Sequence, residues 1–565
     1  MLVLMLFSTL FYVMGAKPFG WMYGICANSY AGGRLPSEVP TSFFITKNGM
    51  FMKKIIPQRR LSTSLISSIS SAAVIVIAAI SIITALPSIA LAQQSTAPST
   101  STVSCNASST WVSNPSLPGD VQNTENCSFQ QYMWQAMLYL VQPVATGSKV
   151  LQFETFMPSY GIFVEPGKTP TAWGKVPKPA YCKGPSTLKQ NLKQNYVFSN
   201  LTLQAGVGQP LIDKSLNRVF YGVSVNKPSY DFITGCGLYQ AQCSLTLAPD
   251  LVDPVGYKVV DIPGLYPNLE FPTGAMQLKT AWKILTSDEV AGKTFYSTKG
   301  SVQAPDKNCM ENVNLGLVGI HIVSKTPTQP EFIWGTFEHR NNAPYCSKTE
   351  AQPPLGGNWT FYNPNCTGGN CTPNHYAEGK ATQVCTMHPW GDPTIGTMPN
   401  NLNCSSTPPP GYICDPDTQK FVIQPSTANL QALDLSVQKM LAALPAGDAN
   451  KLWANYSLVG NVWTARGTLP PTMQAQVGSL SGANNSMETY VQNGVSNIQN
   501  PYNCFSCHNQ DGKSKGQSLS DAIKVQLPPA GLSHIFNLLN LKTKGCSTGV
   551  LPSNAMCAAN GGPKK

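Results

Sequence analysis

Charge is scarce in this sequence: Asp, Glu, Lys and Arg together make up 12% of 565 residues. That share excludes a charge-rich disordered chain, and 42% hydrophobic residues are ample for a packed core. No Lys/Arg-rich stripe interleaved with aromatics occurs, so the sequence predicts no nucleic-acid partner. G-x-S-x-G, the P-loop, the dinucleotide-binding glycine fingerprint and H-E-x-x-H are all missing, which removes the functions those motifs carry. No segment recurs at a fixed period, so a repeat array is excluded. What is plentiful is turn chemistry. Forty-six glycines and 46 prolines at low charge favour a turn-rich, β-rich body over a helical bundle, in a chain long enough for more than one domain.

Residues 52–92 have the layout of a secretory signal peptide. Lys53, Lys54, Arg59 and Arg60 form a basic start, a long apolar run follows, and Pro87 precedes the small-residue site Ala90-Leu91-Ala92 before Gln93. An uncleaved membrane anchor is the competing reading, because the apolar run is long. Residues 1–51 precede a complete leader and are expected to come from an upstream start codon. A periplasmic or secreted protein follows, in contact with a membrane only through an uncleaved leader. Without residues 1–92 the chain keeps 31 basic and 26 acidic residues, a nearly balanced surface. Sixteen of 17 cysteines lie beyond residue 92, several close together: Cys236 and Cys243, Cys366 and Cys371, Cys404 and Cys414, Cys546 and Cys557. Such spacing in an oxidising compartment favours local disulfides.

The expected fold class is α+β: a β-rich, disulfide-containing body over 125–425, then a mainly helical segment over 426–565. Residues 93–124 are Ser/Thr-rich and are expected to be a flexible mature N-terminus. Phe129, Met133, Trp134, Met137 and Leu138 recur at helical spacing before Pro143, predicting a core-facing helix. Alternation in "LVGIHIVS" and "FIWGTFE" predicts strands. "MQLKTAWKILT" (276–286) reads as a short amphipathic helix. Beyond 425, "TANLQALDLSVQKMLAALPAG" reads as a helix, "LWANYSLVGNVWT" as strand-like, and "NNSMETYVQNGVSNIQN" as a helix with Asn485 and Glu488 at capping-box spacing. "SLSDAIKVQ" and "GLSHIFNLLNL" are also helix-like.

One short string carries chemistry: Cys504, Cys507 and His508 spell C-x-x-C-H, a string whose chance expectation in this composition is about 0.005. Thiols three positions apart lie on one side of a helical turn, where they can form thioethers with the two vinyl groups of one haem. The adjacent imidazole can then reach the iron. A zinc site would need a second ligand pair, and no second C-x-x-C exists. A redox pair or a plain disulfide remain alternatives. The expected cofactor is therefore one covalent haem c, with His508 as its proximal ligand. His534 and Met487 are candidates for the distal position; Met556 is a third, and an open site a fourth arrangement. Other polar groups stand out less. Glu338 and Arg340 would share one strand face and His339 the other, forming either a polar pocket near the cofactor or a solvated strand end. Met387, His388 and Trp390 lack enough companions for a metal site.

Several phrases together resemble a family of bacterial exported "cytochrome c family" proteins: "FQQYMWQAMLYLVQP", "LKTAWKIL", "FIWGTFEHRNNAPYC", "WTFYNPNC", "LWANYSLVGNVWT", "NSMETYVQ" and "CFSCHN", in order from about 128 to 540. The resemblance implies a monohaem protein whose large body packs around a C-terminal haem segment, and it raises Met487 as a haem-pocket residue. It supplies no substrate. Three function classes follow. One is an exported cytochrome exchanging electrons with a redox partner protein or a small donor or acceptor. The second is a peroxidase- or oxidase-like haem enzyme acting on a small substrate. The third is a haem-based binding or sensor protein.

Overall fold

The predicted strands assemble into one sheet with helical elements against it. The computed structural model describes residues 105–164, 168–175, 196–199, 202, 204–206, 208–239, 270–303, 309–346, 358–389, 412–415, 420–423, 426–464, 476–479, 482–492, 504–508, 533 and 535. All of them fall in one compact unit. The leader, residues 1–51 and the helix-like stretches after 508 lie outside the described residues, apart from Ser533 and Ile535.

Among the described residues the sheet has nine strands: β1 (Met157–Pro158), β2 (Tyr196–Ser199), β3 (Phe220–Val225), β4 (Met276–Ile284), β5 (Ser297–Gln303), β6 (Cys309–Thr326), β7 (Gln329–His339), β10 (Tyr456–Thr464) and β11 (Gln476–Gly478). The hairpin of β8 (Tyr412–Asp415) and β9 (Lys420–Ile423) is separate. The main order is β1-β3-β4-β6-β7-β10-β11, with β5 on β6 and β2 on β5. Every pairing is antiparallel except β2 with β5. The class is thus a mixed α/β fold built on an antiparallel sheet.

Helix α1 (Asn126–Leu140) forms where the apolar spacing places it, and its Phe129, Met133, Trp134 and Met137 are buried. A second helix, α2 (Ser426–Ala442), packs beside it. Together they cover one sheet face. Leu278, Trp282, Ile320, Ile322, Ile333 and Phe337 meet the α1 residues and Leu430, Leu433 and Val437 of α2 in one apolar cluster. Gly335 lies on this face. A Cβ there would collide with the side chain of Met133, so glycine allows α1 to sit directly on the sheet. Gly335→Ala is expected to lower stability by about 1–3 kcal/mol in urea denaturation, through forced repacking of Met133. A loss below the error of the midpoint would show that the helix does not seat on this strand.

Four readings change. Residues 276–284 are a central strand, not a helix. The bulge opposite it lies in β6, where Val318 is the extra residue, and β4 itself alternates, with Met276, Leu278 and Trp282 in one apolar cluster; its Met, Gln, Leu, Lys and Ala, all good helix formers, point to a helix instead. Burial on both faces adds to the confusion. Secondly, the segment beyond 425 is helical only in part, since besides α2 it contributes two strands. β10 pairs with β7 and β11 with β10, so the sheet runs across the composition change near 426. Thirdly, residues 484–492 form a turn and a short 3-10 segment, Thr489–Val491, rather than a helix. Asn484 Oδ1 accepts from the Ser486 amide and hydroxyl, and Glu488 Oε2 accepts from the Asn484 amide. Such local bonds compete with a helical ladder. Finally, residues 105–124 are tied down. Cys105 is bonded to Cys127, the Ala107 amide donates to Ser436 Oγ, and Thr328 Oγ1 donates to Asp120 Oδ1.

Further disulfides join Cys346 to Cys385 and, as its spacing predicts, Cys366 to Cys371. These bonds suit a non-cytosolic protein. Among the described residues no helix is long and apolar enough to cross a membrane.

Candidate functional site

The opposite sheet face receives the C-x-x-C-H string. Cys504–His508 form one helical turn, α3, and Phe505 anchors it. Phe505 is fully buried among Val323, Phe332, Trp334 and Val462 of the sheet, together with Ile535, and half-buried Cys504 packs against the same cluster. His508 is also half-buried. Its ring lies 4.5 Å from that of Trp334 at 54°, and the Phe505 ring meets Trp334 edge-on at 5.8 Å. Cys504 carries a free thiol. Burial pushes that thiol up to about 12, with the nearby Glu488 carboxylate adding to the rise, so it is protonated at neutral pH.

A polar row borders this turn. Lys279 on β4, His321 on β6 and Thr336 on β7 are cross-strand neighbours. The loop 484–488 lies over them because Gly319 leaves room: a Cβ there would run into Ser486 and Asn484. Asn484 Nδ2 donates to Thr336 Oγ1 and to the Phe337 carbonyl, both at 2.9 Å. Glu488 Oε2 lies 3.4 Å from His321 Nε2. Burial alone would raise the Glu488 carboxyl, but His321 and Lys279 outweigh it and hold the group below its ordinary range. Burial lowers Lys279, while Glu488 acts the other way. Lys279 Nζ stands 5.7 Å over the Tyr221 ring and donates to the Gln204 carbonyl at 3.4 Å. The charges of Lys279 and Glu488 therefore reach the thiol of α3.

Glu338 and His339 are both buried, so neither belongs to a solvated strand end. Glu338 accepts from the Asn485 amide (2.9 Å) and from Asn485 Nδ2 (2.8 Å), fastening the same loop. Burial raises its carboxyl to about 7. His339 faces the other way, stacked on Phe295 at 4.0 Å, and burial lowers its imidazole to about 3. Met487 is buried in a separate apolar cluster with Tyr221, Ala281, Val318 and Tyr490, which contains neither Cys504 nor Phe505. His534, Met556 and Trp390 lie outside the described residues, as does the Cys507 side chain; Ser533 and Ile535, on either side of His534, are buried. Among the described residues no three His, Cys, Asp or Glu side chains gather as a metal site. The groups able to hold a cofactor here are Cys504, position 507 and His508.

Spacing exposed the string itself, but not Trp334, Lys279, His321 or Glu488. Strand alternation puts Trp334, Thr336 and Glu338 on one face, yet no local signal links that face to residue 508.

The sequence matches no protein-family model, and no curated protein or solved structure is similar to it.

Proposed function

We propose that this protein is an exported c-type cytochrome, periplasmic or secreted, which binds one haem covalently through Cys504 and Cys507, ligates its iron with His508, and transfers electrons. The observation that carries the reading is the C-x-x-C-H string on a helical turn whose Phe505 is sunk into the apolar face of the sheet. The donor set fits the group. A free, protonated thiol is the starting material of a thioether, and Cys504 holds one while Cys105, Cys127, Cys346 and Cys385 are consumed in disulfides. Bound haem would supply a one-electron Fe(II)/Fe(III) couple. The chain's own part is to fix the turn through Phe505, to keep water from the Trp334 side of His508, and to set the nearby charge through Lys279 and Glu488. The partner would be a redox protein or a small electron donor or acceptor.

The test is expression with haem-maturation machinery, followed by pyridine haemochrome spectroscopy and mass measurement. One covalent haem per chain is expected; a colourless chain, or pigment removed by acid acetone, defeats the proposal. A second reading, a haem enzyme, is favoured by the polar row of Lys279 and Glu488 near Cys504, with His321 3.4 Å from Glu488. Cyanide, CO and peroxide separate the two. A spectrum inert to all three supports electron transfer, and peroxide turnover with an electron donor supports the enzyme.

A further inference from the structure

We propose that Trp334 of β7 is the positioning residue for His508: its indole face sets the plane in which the imidazole is presented to an iron. The inference rests on the haem reading and adds to it a residue distant in the sequence. A helix of one turn cannot hold its last side chain by itself, because so short a helix owes its order to tertiary contacts. The His508 ring packs against the Trp334 ring, at 4.5 Å and 54°. Trp334 is well placed for the task. It is 3% exposed, on a strand with neighbours on both sides, opposite Val323 of β6 and Val462 of β10. Its indole N–H donates to the Glu331 carbonyl at 2.9 Å, which stops the ring from turning. Phe332 meets it edge-on at 6.1 Å. Phe332 itself has φ of 69°, a left-handed conformation costly for a bulky residue and held here by full burial. The indole is thus fixed before the helical turn arrives, and the turn docks by Phe505 and His508 together.

The orientation of an axial imidazole shapes the ferric EPR spectrum, a readout that loss of packing elsewhere leaves alone. The holoprotein would be compared with Trp334→Leu, which keeps apolar volume without the flat face, with Trp334→Phe, and with Phe271→Leu. Phe271 belongs to the same cluster, and its ring meets those of Phe232 and Phe332. Trp334→Leu is expected to keep covalent haem but to broaden the principal g features by about twofold or more, as the imidazole samples several planes. Trp334→Phe should fall between it and wild type, and Phe271→Leu should match wild type. Should the Leu variant not accumulate, the Phe variant is read alone, and a width equal to wild type overturns the inference. Equal broadening in Phe271→Leu also overturns it, since the effect would then be general loosening. A wild-type chain without covalent haem defeats the haem reading and this inference together. Covalent haem with unaltered Trp334 variants defeats the inference alone.

Discussion

The double variant Cys504→Ala/Cys507→Ala is expected to emerge from a haem-maturing host with no covalently held pigment and with its body folded. Both halves follow from where α3 sits. The turn lies on the surface of the sheet; Phe505 supplies its anchor, and the half-buried Cys504 contributes little apolar area. Loss of its thiol should cost about 1 kcal/mol or less, small beside the 5–15 kcal/mol of a typical domain. The loss of haem, by contrast, should be complete, since no other pair of thiols stands beside a histidine at this spacing. Each single variant would retain one thioether and a weaker haem stain. His508→Ala would retain the covalent haem and lose the spectrum of its proximal imidazole. Alkylation of reduced and unreduced wild type completes the test. If residues 504 and 507 become labelled only after reduction, they form a disulfide and the double variant will have removed nothing else.

The second large effect concerns pH. Asp434 of α2 is buried, and its Oδ1 accepts from Trp134 Nε1 at 2.7 Å and from the Leu458 amide at 3.1 Å. Burial raises its carboxyl to about 8, against those hydrogen bonds and the pull of Arg340, and Glu338 is raised to about 7. Both therefore bind a proton in the folded chain at pH 6.5 and release it on unfolding. Folded pKa values above the unfolded ones mean that stability is full at low pH and falls as pH rises through 7 and 8. His339 works the other way, its lowered pKa making stability rise with pH, but only up to its unfolded value near 6.5. Above that pH the two carboxyls dominate, and roughly 2–3 kcal/mol should be lost between pH 6.5 and 8. Asp434→Asn preserves the acceptor for Trp134 and should remove most of that slope; Glu338→Gln should remove a smaller part. Urea midpoints at several pH values measure this directly. Parallel curves for wild type and Asp434→Asn would mean that Asp434 is already ionised in the folded chain.

Much of this architecture was readable because its signals are local. The helix of Phe129 to Leu138 announces itself within three turns, and β6 and β7 alternate openly. Cys366–Cys371 closes within five residues, whereas Cys105–Cys127 and Cys346–Cys385 close loops of 22 and 39 that no spacing rule singles out. β4 was hidden by burial on both faces and by residues of good helix propensity. The candidate site divides along the same line. Cys504, Cys507 and His508 are five consecutive positions' worth of information. Trp334, Lys279 and Glu488 belong to that site only because β4, β6 and β7 stand side by side and Gly319 admits a distant loop.

The seating of β10 against β7 bears on how this molecule can be divided. Tyr456 through Val462 occupy the edge of β7 from Trp334 to His339. A fragment ending at the composition change would leave those amides and carbonyls bare and flanked by large apolar side chains, an invitation to self-association. The haem-motif part would in turn lose the surface on which Phe505 rests. The two halves of the chain are therefore to be produced as a single polypeptide.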